Sequence, residues 1–163
     1  MQEEQIHKTD EQPVKKKTPD EALHEIETYY SERQEYWNKE LEKLSYKING
    51  ELKDTILLSA ETISYRQILL EERTNQYYKM HKSMIKYKEF NKQRTEYYLA
   101  EYQYKVTGPE KKILMEADMR HFDCRMEYSQ NYINYLTETI KNIDHIIWSV
   151  KNKIELYNLT AIE

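Results

Sequence analysis

Few residues in this chain stand at spacings that do chemistry, and those that do lie on helical repeats. Glu21-x-x-His24 and Asp118-x-x-His121 put a carboxylate and an imidazole at i and i+3, the spacing of helical carboxylate di-metal ligands. Such a centre needs two further inward carboxylates and a closed four-helix bundle. With 29 acidic residues in 163, the spacing arises by chance, and no metal site is expected. His121, Asp123 and Cys124 are too poor a donor set for zinc. Cys124, the single cysteine, reads as an inert surface thiol and excludes an intrachain disulfide. There is no Gly-rich phosphate loop, no G-x-S-x-G and no H-E-x-x-H. No catalytic residue and no cofactor is expected, so the chain reads as a non-enzyme.

Charge and aromatics are more informative. The formal net charge is −4, which argues against nucleic-acid binding through global charge alone. From Arg73 to Arg94, however, seven cations face one acid, Glu89, for a net +6. The remainder of the chain then carries −10. A basic stretch on an acidic protein is an electrostatic footprint for a polyanion. Tyrosines interleave with it: Tyr77, Tyr78, Tyr87, Tyr97 and Tyr98, out of 16 Tyr against 2 Phe. Met80, Met84, Tyr87 and Tyr98 share one helix face, with Lys79, Lys82 and Lys86 roughly opposite. Tyrosine rings can stack on unpaired bases. They also serve as half-buried packing residues, with the lysines as an ordinary solvated face.

The elements that position these residues are helices. Two Gly and three Pro leave too few turns for an α/β or all-β domain. Residues 1–17 are polar, end in three lysines and are expected to be a disordered tail. Thr18-Pro19-Asp20-Glu21 is a helix-start signature, with a capping box and proline at the first position. The N-terminal helix, 18–50, carries an apolar stripe of Leu23, Ile26, Tyr30, Trp37, Leu41, Leu44 and Ile48, and Asn49-Gly50 suits its C-cap. Residues 51–106 form one long helix with no internal Gly or Pro. Thr107-Gly108-Pro109-Glu110 breaks it and starts the C-terminal helix, 107–163.

That last helix has the clearest pattern. Ile133, Leu136, Ile140, Ile143, Ile147, Val150, Ile154 and Tyr157 alternate by three and four, and the register runs back through Ser129, Met126, Phe122, Met119 and Met115. A 3-4 seam of this length is a coiled-coil signal. It fits an assembly interface between copies or a long core helix within one subunit. Assembly is the expected role, because the rest of the chain has few apolar residues with which to cover the seam. The fold class is therefore all-α, with long helices, a coiled-coil-like assembly helix and an elongated homo-oligomer.

Several of these segments resemble a known family. Lys92-Gln93-Arg94-Thr95-Glu96-Tyr97-Tyr98 is similar to the K-x-R-x-(acid)-Y-Y segment of UvsY-type phage recombination mediators. Leu114-Met115-Glu116-Ala117-Asp118 matches an L-x-x-A-D start of that family's last long helix. Glu127-Tyr128, Leu136, Ile140-Lys141-x-Ile143 and Lys151-Asn152-Lys153-Ile154-Glu155 follow in order. The resemblance covers about residues 60–157. After Tyr98 the family has Ser-Gly and a basic residue, where this chain has Leu99-Ala100-Glu101, which suggests continued helix and one cation fewer. Residues 1–50 have no counterpart.

The resemblance implies sequence-independent binding of single-stranded DNA. It implies displacement of single-stranded-DNA-binding protein and loading of a RecA-like recombinase, in DNA recombination, repair and replication. It further implies homo-oligomeric rings of roughly six or seven copies, built through the C-terminal helices, in the cytoplasm of a phage host cell. The family's basic DNA-contacting pair falls on Lys92 and Arg94. Together with the basic window this assigns phosphate contacts to Lys86, Lys88, Lys92 and Arg94, and stacking or packing to Tyr97 and Tyr98. A non-enzymatic coiled-coil scaffold or virion assembly protein, its basic window on an acidic partner, is the alternative. A membrane-surface helix fits poorly, because the basic window offers Tyr and Met rather than an apolar face of Trp, Phe or Leu. No membrane span is expected.

Overall fold

The computed structural model describes residues 18–48, 51–101 and 107–161. The expected tail (1–17), the Asn49-Gly50 cap and residues 102–106 lie outside the described residues. Three helices fill the rest: α1 (Pro19–Lys47), α2 (Leu52–Glu101) and α3 (Gly108–Thr160). At 1.5 Å per residue, α3 alone is on the order of 80 Å long.

The helix starts follow the sequence signals. Thr18 is extended at φ −68° and ψ 157°. Its hydroxyl accepts the Glu21 N–H at 3.2 Å, and the Glu21 carboxylate accepts the Thr18 N–H at 2.8 Å, a complete capping box. At Thr107 the Glu110 carboxylate accepts from both the backbone N–H and the hydroxyl, each at 2.8 Å. Those donors hold Glu110 below the usual carboxylate range. The C-terminus of α1 is met from outside: Lys153 Nζ donates to the Ile48 carbonyl at 2.9 Å, a cation at the negative end of the helix dipole.

Cross-helix pairs fix the topology. Arg33 meets Glu72 and Lys47 meets Glu61, while Arg66 meets Asp144 and Arg94 meets Asp118. So α2 runs antiparallel to both neighbours, and α1 runs parallel to α3. The lengths are unequal, and this divides the molecule. One half has three helices, with α1 seated on α2 and α3. Beyond the start of α1, roughly residues 88–101 of α2 and 108–124 of α3 pair as a two-helix arm.

The core of the three-helix half explains the α3 seam. Ile133, Leu136, Ile140, Ile143 and Val150 are buried within a single chain. Leu136, Ile140 and Ile143 pack with Trp37 of α1 and Leu69 of α2. Val150 packs with Leu44 of α1 and Leu58 of α2. The expected assembly role for these residues is thereby corrected: the covering helices come from the same chain. Ile147 and Ile154 are half-buried against the same clusters, and Tyr157 is exposed. The seam also has a second row, Tyr132, Thr139 and Ile146, all buried. A strict 3-4 stripe faces one partner; a wider buried arc is what a helix shared between two partners needs.

The apolar content is low, and tyrosine supplies the missing area. Tyr30 stacks on Tyr132 with ring centroids 4.6 Å apart. The Tyr65 hydroxyl donates to Glu40 at 2.6 Å, and Tyr135 to the Gln34 carbonyl at 3.0 Å. A buried ring with a satisfied hydroxyl keeps its area benefit without an unmet polar group. Across the middle runs a polar network. Glu72 accepts from Arg33 at 3.1 and 2.5 Å, from Trp37 Nε1 at 3.3 Å and from the Tyr132 hydroxyl. Burial pushes the Glu72 carboxyl up, but the hydrogen bonds from Arg33 and Tyr132 outweigh it and hold it below the usual range. Beside it, the Tyr30 hydroxyl donates to Gln76 at 3.2 Å and lies 3.1 Å from Ser129 Oγ. This is why polar Ser129 occupies a seam position. Among the described residues no buried side-chain nitrogen or oxygen lacks a partner.

Candidate nucleic-acid interface

Helical phase separates the cations of the basic window. Residues two apart on a helix point roughly 160° from each other, so Lys86 and Lys88 cannot serve one straight path. Lys79, Lys82 and Lys86 face a groove where α1 meets α2 and α3. They flank the packed face of α2 rather than standing opposite it. Lys88 and Lys92 are exposed on the outer side. Lys92 lies 3.9 Å from Glu96, a solvent-exposed pair of little net strength.

Arg94 is committed elsewhere. Its guanidinium meets Asp118 at 2.7 Å and lies 5.0 Å from the Tyr97 ring centre and 5.7 Å from those of Phe90 and Tyr98. The Tyr98 hydroxyl donates to the same Asp118 oxygen at 2.8 Å. The Arg94 hydrogen bond holds the Asp118 carboxyl below its usual range, with Tyr98 adding to it. Tyr98 is 5% exposed, so of the two roles expected for it, stacking or packing, the ring has the second: it closes the arm between α2 and α3. Tyr97, half-buried, packs against Tyr98 with centroids 5.4 Å apart. Helix α2 runs on through Leu99 and Ala100 to Glu101, as the loss of Ser-Gly suggests.

The remaining chemical candidates have structural work. Glu21 caps α1 and Asp118 holds Arg94. His121 packs against Phe90 and Phe122. Cys124 is half-buried on α3. Among the described residues no three His, Cys, Asp or Glu side chains gather as metal ligands would. None of the described helices is long and apolar enough to cross a membrane.

Sequence reasoning missed Arg125. It sits on α3 and lines the same groove as Lys79, Lys82 and Lys86 of α2, and nothing local to it signals that neighbourhood. Only the α2–α3 register brings them together. Comparison with family models, with curated proteins and with solved structures finds no match.

Proposed function

We propose that this chain is a non-enzymatic, single-stranded-DNA-binding recombination mediator, which helps a RecA-like recombinase replace single-stranded-DNA-binding protein. The observation that carries the reading is the exposure of the basic stretch. Lys79, Lys82, Lys86, Lys88 and Lys92 all reach solvent on a chain whose remainder is acidic. Such a surface attracts a polyanion locally while the net charge disfavours indiscriminate binding. The likeness of residues 60–157 to UvsY-type mediators supports the specific choice of single-stranded DNA.

Self-association belongs to the same proposal, with altered residues. The buried seam is occupied within the chain, so assembly falls to what α3 leaves outside. Trp148 (65% exposed), Leu156 (64%) and Leu159 (67%) are such residues. They recur at helical spacing on one outer face of α3, and exposed apolar area of this kind marks contact surfaces. Many copies of a weak site would then bind one strand with avidity.

The test is fluorescence anisotropy of a labelled single-stranded oligonucleotide at two salt concentrations, with duplex as competitor. Salt-sensitive binding that resists duplex is expected. Absence of binding at low salt by folded protein overturns the reading and leaves a helical scaffold with an acidic protein partner.

A further inference from the structure

We infer that the groove between the N-terminal half of α1 and the middle of α2 and α3 is the main phosphodiester-binding site for a single strand. The inference rests on the single-strand reading above and assigns its site. The groove has a volume of about 480 Å³. Lys79, Lys82 and Lys86 line one wall, Arg125 another, and Tyr29 and Glu25 come from α1. Four cations against one acid converge there. None of the four is in an ion pair among the described residues. Lys79 and Lys82 instead lie 5.9 Å from the Tyr29 ring and 4.4 Å from the Tyr78 ring.

Several exposed cations elsewhere pair with neighbouring acids, as Lys39 does with Glu35, Lys43 with Glu40 and Lys141 with Glu138, and those without such a pair, such as Lys88 and Arg120, are not gathered in a groove. In the groove four cations are gathered with a single acid, Glu25, and none of them is ion-paired to it. Their mutual repulsion is relieved when a chain of phosphates enters. From Lys79 to Lys86 they span about 10 Å of helix, enough for more than one phosphate. Tyr29, 43% exposed and backed by Tyr30 at 5.5 Å, gives a ring on which an unpaired base can stack. A duplex has its bases turned inward, and it is too wide for a groove between helices packed about 10 Å apart. The groove therefore selects single strands by shape. It also gives α1 a function: with α1 undocked, Tyr29 and one wall are gone.

The test compares two charge-matched double variants of the full chain. Lys82→Ala with Arg125→Ala removes cations from two walls of the groove. Lys88→Ala with Lys92→Ala removes the same charge from the outer side of α2. Binding of a labelled oligothymidylate is measured by anisotropy over a salt series, with circular dichroism to verify folding. The groove pair is expected to lose on the order of 10-fold in affinity and to flatten the log–log salt slope by about 1.4, near 0.7 per lost contact. The outer pair is expected to lose less than about 3-fold. Equal losses, or a larger loss in the outer pair, overturn the groove while leaving single-strand binding intact. If the unsubstituted chain binds no oligothymidylate at low salt, the single-strand reading falls and the groove assignment falls with it. Displacement by inorganic tripolyphosphate as effective as that by unlabelled oligothymidylate at matched charge overturns the choice of a nucleic-acid strand. Tyr29→Trp adds an independent readout, taken as the difference from the unsubstituted chain, which carries Trp37 and Trp148: added quenching by the strand is expected, and no quenching beyond that of the unsubstituted chain at saturation rejects Tyr29 as the stacking ring.

Discussion

The two halves of the molecule are held by different means, although α2 and α3 run through both. In the three-helix half, α1 closes a core of Trp37, Leu44, Leu58, Leu69 and the α3 residues Ile133, Leu136, Ile140, Ile143 and Val150, each nearly or wholly buried. In the arm, α2 and α3 have only each other. There the contact depends on a half-buried aromatic cluster of Tyr87, Phe90 and Phe122, with the Arg94–Asp118–Tyr98 group beyond it. A two-helix layer has one buried face and no lid: Tyr98 and Met119 are buried in it, while the aromatic side chains around them remain partly wet. The lesson is that one helix can carry a firm end and a soft end. Here the boundary coincides with the basic groove.

The largest expected effect separates the halves outright. Ile143→Asp puts a charge into the closed core and should cost about 5 kcal/mol or more. Loss of helical circular dichroism is the readout. A seam used only between copies would instead lose mass in light scattering and keep a cooperative melt.

Next is the polar network. Glu72→Ala leaves Arg33, Trp37 and Tyr132 without their common acceptor and should destabilise by about 3 kcal/mol in urea denaturation. The pH dependence sharpens this. The folded state holds Glu72 below its unfolded value, so its contribution is complete at neutral pH. It is lost as acid protonates the carboxyl, below about pH 4. Glu72→Gln should flatten that acid limb of the stability profile; an unchanged limb would place the titration elsewhere.

In the arm the effects are smaller. Phe122→Ala removes the ring shared by Tyr87 and Phe90 and should cost about 2 kcal/mol, because the site is only half-buried. Amide exchange should accelerate in the arm and stay slow around Leu69 and Leu136. Asp118→Asn is the smallest: it releases Arg94 and should shift the melting midpoint less than Phe122→Ala does. A shift as large as that of Glu72→Ala would mean the arm is no softer than the rest.

These differences also show what was legible in the sequence. The helix starts at Thr18 and Thr107 could be read because capping is local chemistry, completed within four residues. The α3 seam was legible as a pattern, but not its partner, since a 3-4 repeat does not say which chain covers it. The cover was the α1 stripe itself, Trp37 and Leu44 above all. The second row of Tyr132, Thr139 and Ile146 carries the signal for two partners, and two of those residues have hydroxyls that mask it. The basic window was legible as charge. Its division was not, because the Arg94 partner lies 24 residues away, and Arg125 reaches the groove only through the packing of α2 on α3.

The most direct measurement is hydrogen exchange by mass spectrometry, with and without a saturating single-stranded oligonucleotide. Slowing should concentrate where the groove is built: around Glu25 to Tyr30 of α1, Lys79 to Lys86 of α2, and Arg125 to Ser129 of α3. Protection confined to the arm, around Lys88 to Arg94 and the start of α3, would contradict this and return the binding surface to the soft end of the molecule.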